Sequence, residues 1–190
     1  FKVNETHRYG DYVLHIGRTL QGVLLEGDQT TATVNEKQRA NIEANHTSTH
    51  LLNHALRAVL GDDVQQRGSL VDHDRHRFDF TFAHAMTDKQ VAQVENLVSS
   101  AIADVLHVDA KEVALNSAKE IYGVRAVFGE QYPDPVRVVS IGATVDELLE
   151  NPTDEKWYNC SVEFCGGTHL ENTQDAKHFV LLHEQALASG

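Results

Sequence analysis

Between Asn35 and Gly61 the chain carries a pattern that fits one structure, a long amphipathic helix. Ile42, His46, Thr49, Asn53, Leu56 and Leu60 fall along one stripe at helical spacing, with His50 just beside it. Asn35 is a residue type that caps helix starts and Gly61 one that ends them, so a helix over residues 36–60 is predicted. His46 and His50 then project from one face, one turn apart, and their ring nitrogens can converge on a single ion. Far downstream, Cys165-Gly166-Gly167-Thr168-His169 sets another two donors around a glycine pair that permits a tight turn. Three imidazole nitrogens and one thiolate suit zinc best among common metals.

The two halves differ in specificity. The chain has 12 histidines in 190 residues, so a pair at spacing four is close to what chance supplies, and His50 and His54 form a second one. Taken alone, His46 and His50 would read as hydrogen-bonded core histidines. Cysteine is scarce, with two in the chain, which makes the downstream half the sharper signal. His54 is an alternative partner for His50 but lies farther round the helix, where a packing or supporting role fits better.

The rest of the chain mixes strands and helices without regular alternation. Tyr12 to Ile16, Val23 to Leu25 and the β-branched run Thr30 to Val34, punctuated by glycines, read as short strands of a small β-barrel or meander over residues 1–35. Residues 66–71 and 76–82 read as antiparallel strands, with Phe78, Phe80 and Phe82 on one face. Thr87 and Gln90 form a capping box before a second helix, whose Val91, Val94, Val98, Ala101 and Val105 make a core stripe. Residues 124–128, 136–141, 161–164 and 179–182 read as further strands, and the strand over 161–164 delivers Cys165 to its turn. The predicted class is α+β: a small N-terminal β-barrel or meander, then over residues 36–190 an antiparallel sheet packed with helices.

Composition narrows the partners. Hydrophobic residues make up 41%, enough for a core, and no apolar run approaches membrane-spanning length. Two cysteines give no disulfide framework, so a reducing interior suits the chain, and Cys160 reads as a packed residue rather than a fifth ligand. The net charge of −12 argues against strong autonomous binding of nucleic acid. It is compatible with an enzyme that engages only one end of an RNA while other domains supply affinity. The chain opens at Phe1 without Met and stops at residues 186–190, which reads as a piece of a larger enzyme.

Five segments carry a resemblance: NHTSTHLLNHALRAVLG (residues 45–61), QRGSLV (66–71), RFDF (77–80), AVFGEQYPDPVRVVSIG (126–142) and SVEFCGGTHL (161–170). In this order they resemble the editing domain of alanyl-tRNA synthetase, in its eukaryotic wording, over nearly the whole chain. The threonyl-tRNA synthetase editing domain and the free-standing alanyl-tRNA deacylases are more distant relatives that share the metal motifs. The resemblance implies a Zn2+ cofactor held by His46, His50, Cys165 and His169, the same four being catalytic through the ion. It implies hydrolysis of the ester joining serine or glycine to the 3′ end of alanine tRNA, in the cytoplasm or, for an organellar form, the mitochondrion. The remaining domains of the parent synthetase would be partners, and no ATP-binding loop is expected here. Arg77 and Asp79 would lie near the site, or else form a surface pair.

A second site that rejects alanine while accepting serine needs a partner for the serine hydroxyl, which alanine would leave unpaired. Thr49 is the candidate; the bland reading is a hydroxyl bonded to its own helix. Gln66 could orient substrate or water. Gly166 and Gly167 would let substrate approach the backbone, whose N–H groups can stabilise an oxyanion. A zinc protease is disfavoured, because Thr47 stands where its glutamate base would be. The other rival is a non-catalytic RNA-binding or interaction module stiffened by a closed zinc site.

Overall fold

The computed structural model describes residues 1–127 and 129–185. The chain divides into two compact units, Phe1–Val34 and Asn35–Gly190. In the first, β1 (Lys2–Tyr9) pairs antiparallel with β2 (Tyr12–Arg18) across a turn at Gly10, whose φ is +59°. The closed barrel and the meander are not formed among the described residues. Val23–Leu25 and Thr30–Val34 carry no strand. β-branched composition favours an extended chain, but a strand needs a partner to bond its backbone, and here neither run has one.

The second unit is built on α1 (Glu36–Leu60). The Asn35 side chain accepts from the Gln38 N–H at 3.3 Å, and Gly61, at φ +101°, closes the helix by donating to the Arg57 carbonyl at 2.9 Å. The predicted stripe understates the burial, because every residue from Thr47 to Asn53 is buried. The reason is tertiary: α1 meets β3 (Gln66–Val71), β4 (His76–Phe80), α2 (Asp88–Ala103) and β7 (Ser161–Phe164). Val94, Val98 and Ile102 of α2 bury against Leu51, Leu52, Ala55 and Leu56. The predicted Val105 lies past the helix end at φ +55°.

A three-stranded antiparallel sheet, in the order β5 (Val108–Val113), β6 (Val136–Ile141), β7, carries the other side of the site. β6 is central and buried on both faces. Val139 and Ile141 join the core under α1, while Val136 and Val138 join a second core with Ile121, Trp157, Val162 and Phe164. That second core also takes Ala118 of α3 (Leu115–Lys119) and Val145 and Leu148 of α4 (Val145–Glu150). Two expected strands are not formed among the described residues. Residues 179–182 have no pairing, although Phe179 is buried in the core. Of residues 124–128, Phe128 lies outside the described residues, as do residues 186–190, and Arg125 makes an isolated parallel bridge to Glu163.

Candidate metal centre

Strand parity delivers the second half of the donor set. Successive side chains of a strand point to opposite faces. Val162 and Phe164 of β7 enter the second core, so Ser161 and Glu163 face α1 instead. The Ser161 hydroxyl donates to the His50 carbonyl at 3.3 Å, and Asn53 Nδ2 donates to Glu163 Oε1 at 2.8 Å. Cys165 has the same parity and follows directly. The Cys165 N–H bonds the Arg137 carbonyl at 3.1 Å, which continues the β6–β7 ladder to the edge of the turn.

The turn itself is strapped from β6. Arg137 Nη1 donates to the Cys165 carbonyl at 2.9 Å and to the Gly167 carbonyl at 2.7 Å. Gly167 is required by proximity rather than by backbone conformation. A Cβ there would stand 2.2 Å from His46 Cε1, and its φ is not in the left-handed region. Gly166 is exposed and has nothing near its missing Cβ.

The four side chains lie together in a cluster that could hold a metal ion. Ligand atoms of His46, His50, Cys165 and His169 all lie within 4.8 Å of one another. Cys165 Sγ is 3.4 Å from His46 Nε2 and 3.5 Å from His169 Nε2. Tetrahedral zinc, with Zn–N near 2.0 Å and Zn–S near 2.3 Å, would hold such neighbours about 3.5 Å apart, so these edges fit the ion. The outer nitrogens support the same reading. His46 Nδ1 lies 3.1 Å from the Thr168 carbonyl, which can only accept, so Nδ1 carries the proton and Nε2 keeps its lone pair. Thr47 Oγ1 lies 3.2 Å from His169 Nδ1 and accepts from the Leu170 N–H at 3.1 Å. His50 is buried, with Nε2 at 3.8 Å from Glu163 Oε2, and its Nδ1 has no hydrogen-bond partner among the described residues.

Burial sets the protonation. It pulls His46 below the usual histidine range, partly offset by the Thr168 carbonyl. It pulls His50 well below, helped by His169, His46 and Arg137, and takes His169 down to about 3. The three imidazoles are therefore neutral at pH 7, the form that binds a metal. Burial pushes the Cys165 thiol up, against the Gly167 N–H, so binding an ion would displace its proton.

Residues 136–190, which include the Cys165–His169 turn, match the family described as "Threonyl and Alanyl tRNA synthetase second additional domain". The whole chain is 50% identical to a fifth of "Alanine–tRNA ligase, cytoplasmic" of Dictyostelium discoideum. It is 50% identical to a fifth of "Alanine–tRNA ligase" of Candida albicans. It is 47% identical to a fifth of "Alanine–tRNA ligase, mitochondrial" of Saccharomyces cerevisiae. The chain thus aligns over its whole length with one region of alanine–tRNA ligases, and its C-terminal part matches the second additional domain of the threonyl and alanyl enzymes. It spans about a fifth of the length of these relatives. Among the described residues no helix is long and apolar enough to cross a membrane.

Against this alanyl-tRNA synthetase frame, the remaining expected residues fall in different places. Thr49 is 5% exposed, and its hydroxyl donates to the Asn45 carbonyl of its own helix at 2.8 Å. Gln66 is half-buried, and its Nε2 donates to Ser69 Oγ at 3.3 Å. Arg77 and Asp79 pair with each other through two bonds of 2.9 and 3.0 Å. His54 is outside the cluster; burial, with Arg57 and Arg125 nearby, lowers it to about 4. Thr47, Asn53, Arg137 and Glu163 support the site although the sequence pattern does not mark them as supports. The parity of β7 was the one available signal for Glu163. No local pattern points to the other three.

Proposed function

We propose that this chain hydrolyses the ester joining serine or glycine to the 3′ end of alanine tRNA, releasing amino acid and intact tRNA. The observation that carries the reading is the convergence of His46, His50, Cys165 and His169 within a chain that matches alanine–tRNA ligases. Residues 36–190 would carry the activity, with residues 1–35 as a separate small β-domain. ATP-dependent ligation, most of the tRNA affinity and the cellular address belong to the rest of the parent enzyme, cytoplasmic or mitochondrial as in the relatives' names.

The four donors would hold one zinc, which when bound supplies Lewis acidity to an ester carbonyl or a water. The chain's own groups do the rest. Thr49 Oγ1 donates to Asn45 and so offers its free lone pairs as an acceptor for the serine hydroxyl. Gln66, as a neutral amide, orients substrate or water without acting as a base. The exposed backbone at Gly166 gives the ester a close approach, with N–H groups to meet developing negative charge.

Four protein donors also complete a tetrahedron, and this favours a second reading, a zinc-stabilised RNA-binding or interaction module without turnover. One experiment separates the two. Alanine tRNA carrying serine, glycine or alanine is incubated with the protein, with chelator, and with zinc restored. Release of serine and glycine, sparing of alanine and loss on chelation are expected. Metal-bound protein that releases none of the three would leave the module reading.

A further inference from the structure

Apart from the donor cluster, the second unit contains a polar cavity of about 320 Å³. Arg57, Arg125, Tyr122, Tyr158, Gln65 and Asp62 are among the residues that line it. Arg57 is 4% exposed. Its Nη1 donates to the Gly123 carbonyl at 2.8 Å and its Nη2 to the Tyr158 carbonyl at 3.0 Å. Its Nε is buried without a partner among the described residues, and the guanidinium lies 4.2 Å over the Tyr158 ring. Arg125 Nη2 donates to the Val64 carbonyl.

A buried cation ordinarily pairs with a carboxylate or a bound ion. Among the described residues neither Arg57 nor Arg125 has an ion pair. Two acids act on Arg125 at longer range without pairing to it: Asp62, which accepts from the Tyr158 hydroxyl at 2.8 Å, and Glu163, which accepts from Asn53 and lies 3.8 Å from His50. Two guanidinium groups bonded to carbonyls therefore share one cavity with no carboxylate paired to either. In a chain of net charge −12, this is a local reversal of sign. Tyr122, 42% exposed, adds a ring face at the cavity, the kind of surface on which an unpaired base stacks.

We propose that this cavity is an anion site that takes a backbone phosphate at the single-stranded end of the RNA substrate, with Arg57 and Arg125 as its cationic wall. The RNA half of this assignment rests on the function proposed above; the anion half does not. Inorganic phosphate is the first probe, titrated into the unmodified protein while the Arg57 Nε–H signal is followed by nitrogen-15 NMR. A saturable shift is expected. Uncharged alanine tRNA is the second, with affinity measured from low to physiological salt for the unmodified protein, Arg125→Gln and Arg125→Lys. Arg125→Gln should reduce the slope of log affinity on log salt by about 0.7–1, and Arg125→Lys should retain it. No Arg57 shift with phosphate overturns the anion site. A phosphate shift with an unchanged salt slope in Arg125→Gln overturns its assignment to RNA. A phosphate shift in a protein that neither binds nor deacylates any tRNA supports the anion site and sinks the RNA reading instead.

Discussion

His46 and His50 stand on a helix whose caps and spacing are local facts, whereas Cys165 and His169 stand on a turn with one local bond, Gly167 N–H to Cys165 Sγ, and with its other supports far away in sequence. On α1 the backbone alone places two imidazoles one turn apart. On the turn, position comes from β6 through the two bonds of Arg137, and from α1 through Thr47 and His46. The difference teaches that the helix is the template and the turn is folded onto it. Damage to the turn's supports should therefore cost metal without melting the helix.

The largest effect should come from removing a donor of the turn. Cys165→Ala and His169→Ala should each lose stoichiometric zinc by elemental analysis after gel filtration, with α1 helicity kept. His54→Ala, on the helix but outside the cluster, should keep its zinc. Unchanged zinc content in both turn variants would remove them from the donor set.

His54 also separates helix packing from metal binding through pH. Its folded pKa of about 4 lies below the ordinary 6.5, so the unfolded chain takes up a proton that the folded chain refuses. That contribution to stability is intact above pH 6.5 and is lost as pH falls through 4, by up to about 3 kcal/mol. Denaturant melts of Cys165→Ala and of Cys165→Ala/His54→Asn at pH 7 and pH 4 measure it without metal. The doubly substituted chain should lose less stability on acidification, and equal losses would assign the acid sensitivity to other groups.

Gly167→Ala tests the closest approach of turn to helix. Its methyl group would meet the His46 ring at 2.2 Å, so ring or turn must shift, at a cost of about 1–3 kcal/mol. Zinc affinity, read by chelator competition, should fall by at least about fivefold. Gly166→Ala, with open space around its Cβ, should stay within about twofold. Thr47→Val removes the hydroxyl beside His169 Nδ1 and the acceptor of the Leu170 N–H, and affinity should fall about 10–100-fold. An unchanged affinity would mean that Arg137 and the His46–Thr168 bond suffice to position the turn.

The smallest effect is expected at Thr49. Thr49→Val should lower kcat/KM on serine-charged relative to alanine-charged tRNA by about 2–13-fold, the value of one hydrogen bond, with zinc unchanged. Equal losses on both substrates would make Thr49 a support of the helix through its bond to Asn45.

By itself the sequence determined α1 with both its caps, the pairing segments of β3 and β4, and which four histidine and cysteine side chains converge. Each of these is written in periodicity, in cap chemistry or in the rarity of cysteine. Only the tertiary structure decided that residues 23–25 and 30–34 lack strand partners, because strand formation depends on a neighbour that propensity cannot name. It likewise decided that Gly167 serves the His46 ring, and that Thr47 and Arg137 hold the turn. Those contacts join positions up to more than a hundred residues apart, as when Thr47 meets His169. The spacing of donors is a property of the chain, but the supports of a site belong to whichever surfaces the core brings together.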